Sequence, residues 1–485
     1  YVQQKQGKDK MVLLKLGGLD DAAVKARWGG ISTRNNNKWP PVAVDSSGKK
    51  TIVWVMRHTG GLARLEDQGE KFKKLPLRDI YRQKKGWGHW EPWAASGAIV
   101  ADPRTEQLYA RDWSSCWPSG AVRADGRTGR VIERILGWGR GGWIETMAVC
   151  PNGDLFVRIK RTGAMLARYN PSTKKFVQLK GAKPITRKGR PVKHGRTPLI
   201  AIQFPSAGGA RAFQDQMTVA PNGDVYIPVG LHKSYFSRLK EMGQEVSSGG
   251  KEFHPQQANI LKVYGADGTL KCLSALPGLG SSNGIAVGRH GVVYMVIQCH
   301  PVGVKLPEGL APGSRYSGGA WATVVKFNSR FDKYPIGRIE GRWVGQKPGT
   351  PLHKWKLDGK PTHHHGGGRG GGGRNVRIKN MLWDYPGASP VRMGGCTCHR
   401  STLSLDGFER VFVPAAQTCS VNVLDANGNI VTRIGAYGNA DCRSKNSPVP
   451  DPETGELRPR REGDPEGLKS PLAEPEIAFI GPSYT

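Results

Sequence analysis

One local pattern occurs six times along this chain. Each copy opens on a short small or apolar segment, crosses a turn, and enters an apolar-rich segment. A third segment, a second polar turn and a fourth segment usually follow. The openings VAV, AIV, MAV, MTV, IAV and LSL lead into DSSGKKTIVWV at Asp45, DPRTEQLYA at Asp102, PNGDLFVRI at Pro151, PNGDVYIPV at Pro221, GRHGVVYMV at Gly288 and LDGFERVFV at Leu405. The second turn and outer strand recur as ADGRTGRVIERILG, NPSTKKFVQLKG, ADGTLKCLSALPG, NSRFDKYPIGRIEG and ANGNIVTRIGAYG. Leu403 to Tyr437 reads as four antiparallel strands with turns at Asp406-Gly407 and Asn427-Gly428. An Asp-Gly or Asn-Gly pair supplies the positive φ that a tight hairpin needs. Six ordered four-stranded units predict an all-β fold of the β-propeller type.

The same pattern fixes expected boundaries. Blades should begin near Pro41, Gly97, Glu145, Asp215, Asn283 and Met393. Residues 11–18, MVLLKLGG, read as an outer strand with no blade before it, and 471–484, PLAEPEIAFIGPSY, as the opening of a seventh inner strand. Pairing these two would close the ring and remove its exposed sheet edges. The expectation is a seven-bladed propeller closed by an N-terminal outer strand. It divides into an N-terminal segment (1–40), blades (41–440), a proline-rich polar linker (441–470) and the start of the seventh blade (471–485). Long insertions fall at 180–211, 230–257, 299–318 and 341–393, and loops of that length are uncommon without a role. The seventh blade lacks its middle strands and Tyr1 is not an initiator methionine. A processed or incomplete piece of a longer polypeptide is expected, or a ring completed by another chain in a hetero-complex.

With GIAVGRHGVVYMV inside 283–299, and with 217–229 and 403–435, the units resemble NHL-type propeller repeats, which are related to the gluconolactonase-like propellers. The resemblance implies the fold. Members of that group bind proteins or RNA or serve as enzyme scaffolds, so it leaves the activity open.

Charge narrows the partners. Lys and Arg number 72 against 39 Asp and Glu, a formal charge of +33. That excess costs self-repulsion unless an acidic surface answers it. Basic runs lie at Lys5, Arg82, Thr186 and Arg458. The residues expected to meet a partner are Lys188, Arg190, Lys193 and Arg196 in one insertion and Arg458, Arg460 and Arg461 in the tail. An acidic protein subunit is preferred to nucleic acid or another polyanion, because no nucleic-acid-binding motif appears. No apolar run is long enough to span a membrane.

The metal-ligating residue types give three further candidates. His363, His364 and His365 are consecutive and border the glycine run GGGRGGGGR, which does not itself preorganise a site. His58, His232 and His300 each follow a second-strand pattern, and a propeller gathers such positions at the mouth of its channel; a three-His transition-metal site there is the expectation to check. Cys396, Cys398 and His399 form GGCTCHR, open to haem or metal ligation. A c-type haem attachment needs two residues between the cysteines and only Thr397 intervenes, so haem c is disfavoured. Structural or disulfide cysteines are the preferred reading. Cys396, Cys398, Cys419 and Cys442 suit bridges, and Cys150 and Cys272 suit plain buried thiols. Bridged cysteines favour a periplasmic or extracellular setting.

Tryptophans cluster among cations at 84–93, 112–117 and 137–143, where they suit blade packing or an interface and, as the lesser reading, base or sugar stacking. No nucleophile elbow, P-loop, dinucleotide fingerprint or HExxH occurs. The sequence therefore reads as a basic binding or scaffold subunit, the alternative being a metal-dependent or haem-associated oxidoreductase or lyase.

Overall fold

The computed structural model describes residues 2–6, 10–14, 42–45, 52–56, 62–67, 72–75, 99–102, 105, 107–111, 120–125, 131–136, 143–160, 164–187, 189–194, 197–204, 217–230, 259–273, 275–276, 282–304, 322–340, 359–365, 374–388, 403–415, 420–434, 436–437, 448–451, 453–454, 456–459, 463–464 and 478–479. Among them the structure is all-β and built from discrete antiparallel four-stranded sheets.

Six sheets follow the repeats in chain order, five of them four-stranded and the third extended to six strands. The first comprises Val42–Asp45, Ile52–Met56, Leu62–Asp67 and Phe72–Leu75. The second comprises Ile99–Asp102, Gln107–Arg111, Ala121–Asp125 and Val131–Ile135. The third has Trp143–Val149, Leu155–Lys160 and Ala164–Asn170, whose outer edge is shared by Lys175–Val177 and Ile200–Phe204. The fourth has Thr218–Val219, Val225–Gly230, Asn259–Tyr264 and Leu270–Cys272. The fifth has Ser282–Val287, Val293–Ile297, Ala322–Phe327 and Met381–Ala388. The sixth has Ser404–Leu405, Val411–Ala415, Ser420–Leu424 and Ile430–Ile434. The opening strand of each sheet lies beside the opening strand of the next, from the first sheet to the sixth.

Strand alternation builds the cores between neighbouring sheets, since successive side chains leave a strand on opposite faces. In the fifth sheet Val293, Met295 and Ile297 enter the cluster shared with the fourth, while Tyr294 and Val296 enter the cluster shared with the sixth. In the third, Leu155, Val157 and Ile159 pack toward the second sheet and Phe156 toward the fourth. Both faces are thus covered, so these strands read as unbroken apolar runs. Burying each such side chain contributes about 1.5–3 kcal/mol.

The turns follow their chemistry. In both PNGD turns the Asn side chain accepts from the Asp backbone N–H, Asn152 from Asp154 at 3.2 Å and Asn222 from Asp224 at 3.0 Å, and Gly153 and Gly223 take φ of 91° and 88°. The sixth sheet departs from expectation at its first turn. Gly428 has the expected positive φ, but at Asp406-Gly407 it is Glu409 that adopts φ 61°. Asp406 Oδ1 accepts from the N–H groups of Phe408 and Arg410 and holds that conformation.

One further expectation is corrected. The outer strand of the fifth sheet is Met381–Ala388, not the segment after Asn328; Arg338–Glu340 instead pairs Arg374–Lys379 in an appended sheet ordered His300–Pro301, His363–His365, Arg374–Lys379, Arg338–Glu340. The first described strand of the sixth sheet is Ser404–Leu405, and the expected start near Met393 lies outside the described residues. At the chain ends Lys10–Leu14 pairs Val2–Gln6, and Val2–Gln6 lies beside Ala478–Phe479, which pairs in parallel with Ala436–Tyr437. No helix among the described residues is long and apolar enough to cross a membrane.

One contact recurs between sheets. Arg123, Arg168 and Lys326 each lie in a third strand, two residues ahead of the Asp or Asn that opens the following turn. Each reaches the next sheet and donates to the carbonyl of the second residue of its corresponding turn: Arg123 to Pro171 at 2.6 Å, Arg168 to Ala266 at 2.7 Å and Lys326 to Ala426 at 2.6 Å. A charged donor on a carbonyl is worth about 1.5–3 kcal/mol.

Candidate functional site

The insertion after Lys180 folds into three small hairpins around one point. Lys183–Pro184 pairs with Ile200–Phe204, Thr186–Arg187 with Arg190–Pro191, and Lys193–His194 with Thr197–Pro198. Where they meet, Val192 N–H donates to Ile185 O at 2.7 Å, Leu199 N–H to Val192 O at 2.7 Å and Ile185 N–H to Leu199 O at 2.8 Å, closing a triangle of backbone bonds. The three apolar side chains at its corners are buried and join Tyr169 and Phe176 in the core of the third sheet. Each is preceded by a proline, Pro184, Pro191 and Pro198. Proline holds φ near the extended range and carries no N–H, which suits an arm only two residues long.

This apolar hub turns the polar arms outward. Lys183, Arg190 and Lys193 are exposed on the arms; Lys174 is exposed in the turn before the adjoining strand Lys175–Val177 and Lys175 at its start, and that strand lies against Thr197–Pro198. Among the described residues none of these five cations makes an ion pair. Glu133 and Asp154, carboxylates of the neighbouring second and third sheets, are engaged elsewhere. Asp154 pairs with Arg168 at 2.5 Å and Glu133 with Arg123 at 2.8 Å. His194 sits under the hub, edge-on to Tyr169 and Phe176. Burial lowers its pKa against an opposing pull from Glu133.

Of the expected partner-contacting residues, Arg190 and Lys193 therefore lie on this rim, while Lys188 and Arg196 lie outside the described residues. Arg458 is placed differently. Its guanidinium donates to Asp464 Oδ1 at 2.7 Å, to Asp464 Oδ2 at 2.9 Å and to Asp451 at 2.9 Å, so its charge is answered within its own segment. The Asp464 fork, ahead of the Asp451 bond, holds the Arg458 pKa above the usual arginine range. Arg460 and Arg461 lie outside the described residues. Two signals for the rim were present in the sequence and not used: the seven-residue spacing of the Pro-apolar pairs, and the complete lack of Asp and Glu between Asp154 and Asp215, a stretch with fourteen Lys and Arg.

The histidine candidates divide. His58 and His232 lie outside the described residues, as do Cys396, Cys398, His399, Cys419 and Cys442. His300, His363 and His364 come together in the appended sheet, with His300 directly opposite His364 and Pro301 opposite His363. The rings of His300 and His364 are 5.0 Å apart, tilted by 45°. His363 faces the other way and is fully buried. Its Nδ1 is 2.8 Å from Thr362 Oγ1, and its Nε2 is 2.9 Å from Asp384 Oδ2 but off the line of a ring N–H bond. The backbone of His365 is in the same strand. Cys150 and Cys272 are buried in the cores, as is Cys299.

No protein-family model matches this chain, and no curated protein sequence matches it. Among solved structures it is similar to a hydrazine synthase of Kuenenia stuttgartiensis, at 9% identity over 82% of this chain and 79% of that one, with a TM-score of 0.41. It is similar to a functionally unknown protein from Desulfotomaculum acetoxidans at 12% identity over 83% and 87%, TM-score 0.38. It is also similar to the calcium-binding protein regucalcin from Agrobacterium tumefaciens at 10% identity over 72% and 76%, TM-score 0.32. Likenesses at this level assign neither family nor activity. Fold and site together define a class only: an all-β, blade-like repeat protein with a cationic rim.

Proposed function

We propose that this chain is a propeller-type binding subunit, of the NHL-like kind, that docks an acidic protein partner on the cationic rim of its third sheet. The observation that carries the reading is the set of five exposed, unpaired cations displayed around a buried apolar hub. An apolar hub of this kind fixes the arms, so charges held there lose little freedom on binding. A protein partner is preferred to nucleic acid because the aromatic rings nearest the rim, Tyr169 and Phe176, are buried beneath it and offer no platform for base stacking. A seventh blade assembled from the two chain ends, and a periplasmic or extracellular setting, belong to the same reading.

Co-purification across a salt gradient tests it. The screening length falls from about 8 Å at physiological ionic strength to about 3 Å at 1 M, and partner recovery should fall with it. Reversing Lys188, Arg190, Lys193 and Arg196 to Glu should abolish recovery at physiological salt. Recovery unchanged in both arms would refute the proposal, and recovery lost on nuclease treatment would replace the acidic protein by nucleic acid.

A further inference from the structure

We propose that His300 and His364 form a two-imidazole clamp for a divalent transition-metal ion. The two residues are direct cross-strand partners, and side chains so placed start about 4.5–5.5 Å apart at Cβ, a separation one metal ion can bridge. The ring centroids are already 5.0 Å apart, with the ring planes tilted by 45°. His300 Nδ1 is 3.2 Å from Pro301 O. When that nitrogen donates to the carbonyl, the lone pair sits on Nε2, the tautomer in which metal-binding imidazoles are commonly held.

The clamp is preorganised. The strand carrying His364 is held between two others, with Asn375 opposite His364 in the same cross-strand row. The Asn375 side chain is exposed, and its amide oxygen is an oxygen donor of the kind softer sites recruit as an extra ligand. Beneath, the His363–Asp384 contact fastens the strand to the fifth sheet, and Thr362 Oγ1 accepts from Ile378 N–H at 3.1 Å. The glycine run after His365 therefore does not set the geometry; strand pairing does. Among the described residues no group of three or more His, Cys, Asp or Glu is placed to hold a metal. The clamp is accordingly a two-nitrogen site whose remaining positions go to water, to an amide oxygen or to an incoming ligand. Imidazole donors suit Cu, Ni and Zn rather than Ca or Mg.

Electron paramagnetic resonance of the full chain with one equivalent of Cu²⁺ tests this directly. The wild type should show coupling to two nitrogen donors, and His300→Gln or His364→Gln should remove one of them and weaken binding by about tenfold or more. His290→Gln, at an exposed histidine elsewhere, should change neither. If either Gln variant is poorly folded, the wild type alone still decides. Zn²⁺ should slow amide exchange at His300 and at 363–365 relative to metal-free protein. A copper spectrum unchanged from wild type in both Gln variants, or exchange at these strands indifferent to Zn²⁺, would overturn the proposal.

Discussion

The carboxylate of Asp154 shows how single residues hold a repeat together. It is buried at the turn between the first two strands of the third sheet, and it accepts from Arg168, from Asn170 at 2.8 Å and from Asn152 at 3.2 Å. Asp224 occupies the same place in the fourth sheet and pairs with Lys271 at 2.7 Å. The imidazole of His194 does the reverse, since burial favours its neutral form. Its unfolded pKa is about 6.5 and its folded pKa is lower, so below that value the unfolded chain binds the proton that the folded chain refuses. Stability is then lost as pH falls through about 6.5 toward the folded pKa. His300, also lowered by burial, adds a term of the same sign. A urea midpoint that drops between pH 7 and pH 5, with a shallower slope in His194→Gln, is expected. Equal slopes in the two proteins would remove His194 as a cause.

At the scale of elements, the three-hairpin hub should behave as one small cooperative unit. Leu199 is fully buried at its centre, and a Leu→Ala change at such a site costs about 2–5 kcal/mol. In Leu199→Ala, peptides within 183–200 should exchange hydrogen faster and capture of the acidic partner should weaken, while the fourth to sixth sheets keep their protection. Uniform loss of protection across all sheets would show that the hub is not separable. The four-stranded units were legible in the sequence because their signals are local: an Asx-Gly turn and a strand that alternates between two cores. The outer strand of the fifth sheet was not. The segment after Asn328 has the same turn-and-apolar appearance as the true outer strands, and only long-range pairing decides that Met381–Ala388 lies along Ala322–Phe327 instead. The meeting of His300 with His364 was hidden for the same reason. Both residues were recognisable as possible ligands, but they belonged to separate candidate sets until strand pairing placed them opposite one another. Glu409 in place of Gly407 as the residue with positive φ depended on a carboxylate-to-backbone bond that spacing alone does not reveal.

For the whole molecule, the dominant quantity is the +33 charge. On its own the folded chain concentrates that charge, and the expanded unfolded chain relieves it. Raising NaCl from about 0.02 M to about 0.5 M shortens the screening range severalfold, so the partner-free protein should melt at a higher temperature in the saltier buffer. A midpoint that stays put or falls would mean that internal ion pairs outweigh the repulsion. The cation-to-carbonyl contacts between sheets carry a different consequence, because they have a direction. Arg123, Arg168 and Lys326 all point from an earlier sheet to a later one. As the polypeptide leaves the ribosome, a finished sheet extends a charged hand toward a neighbour that has not yet been made. Until that neighbour forms, the carbonyl-bound hydrogen bond of each cation is left to water, while Arg123 and Arg168 keep their carboxylate partners within their own sheets.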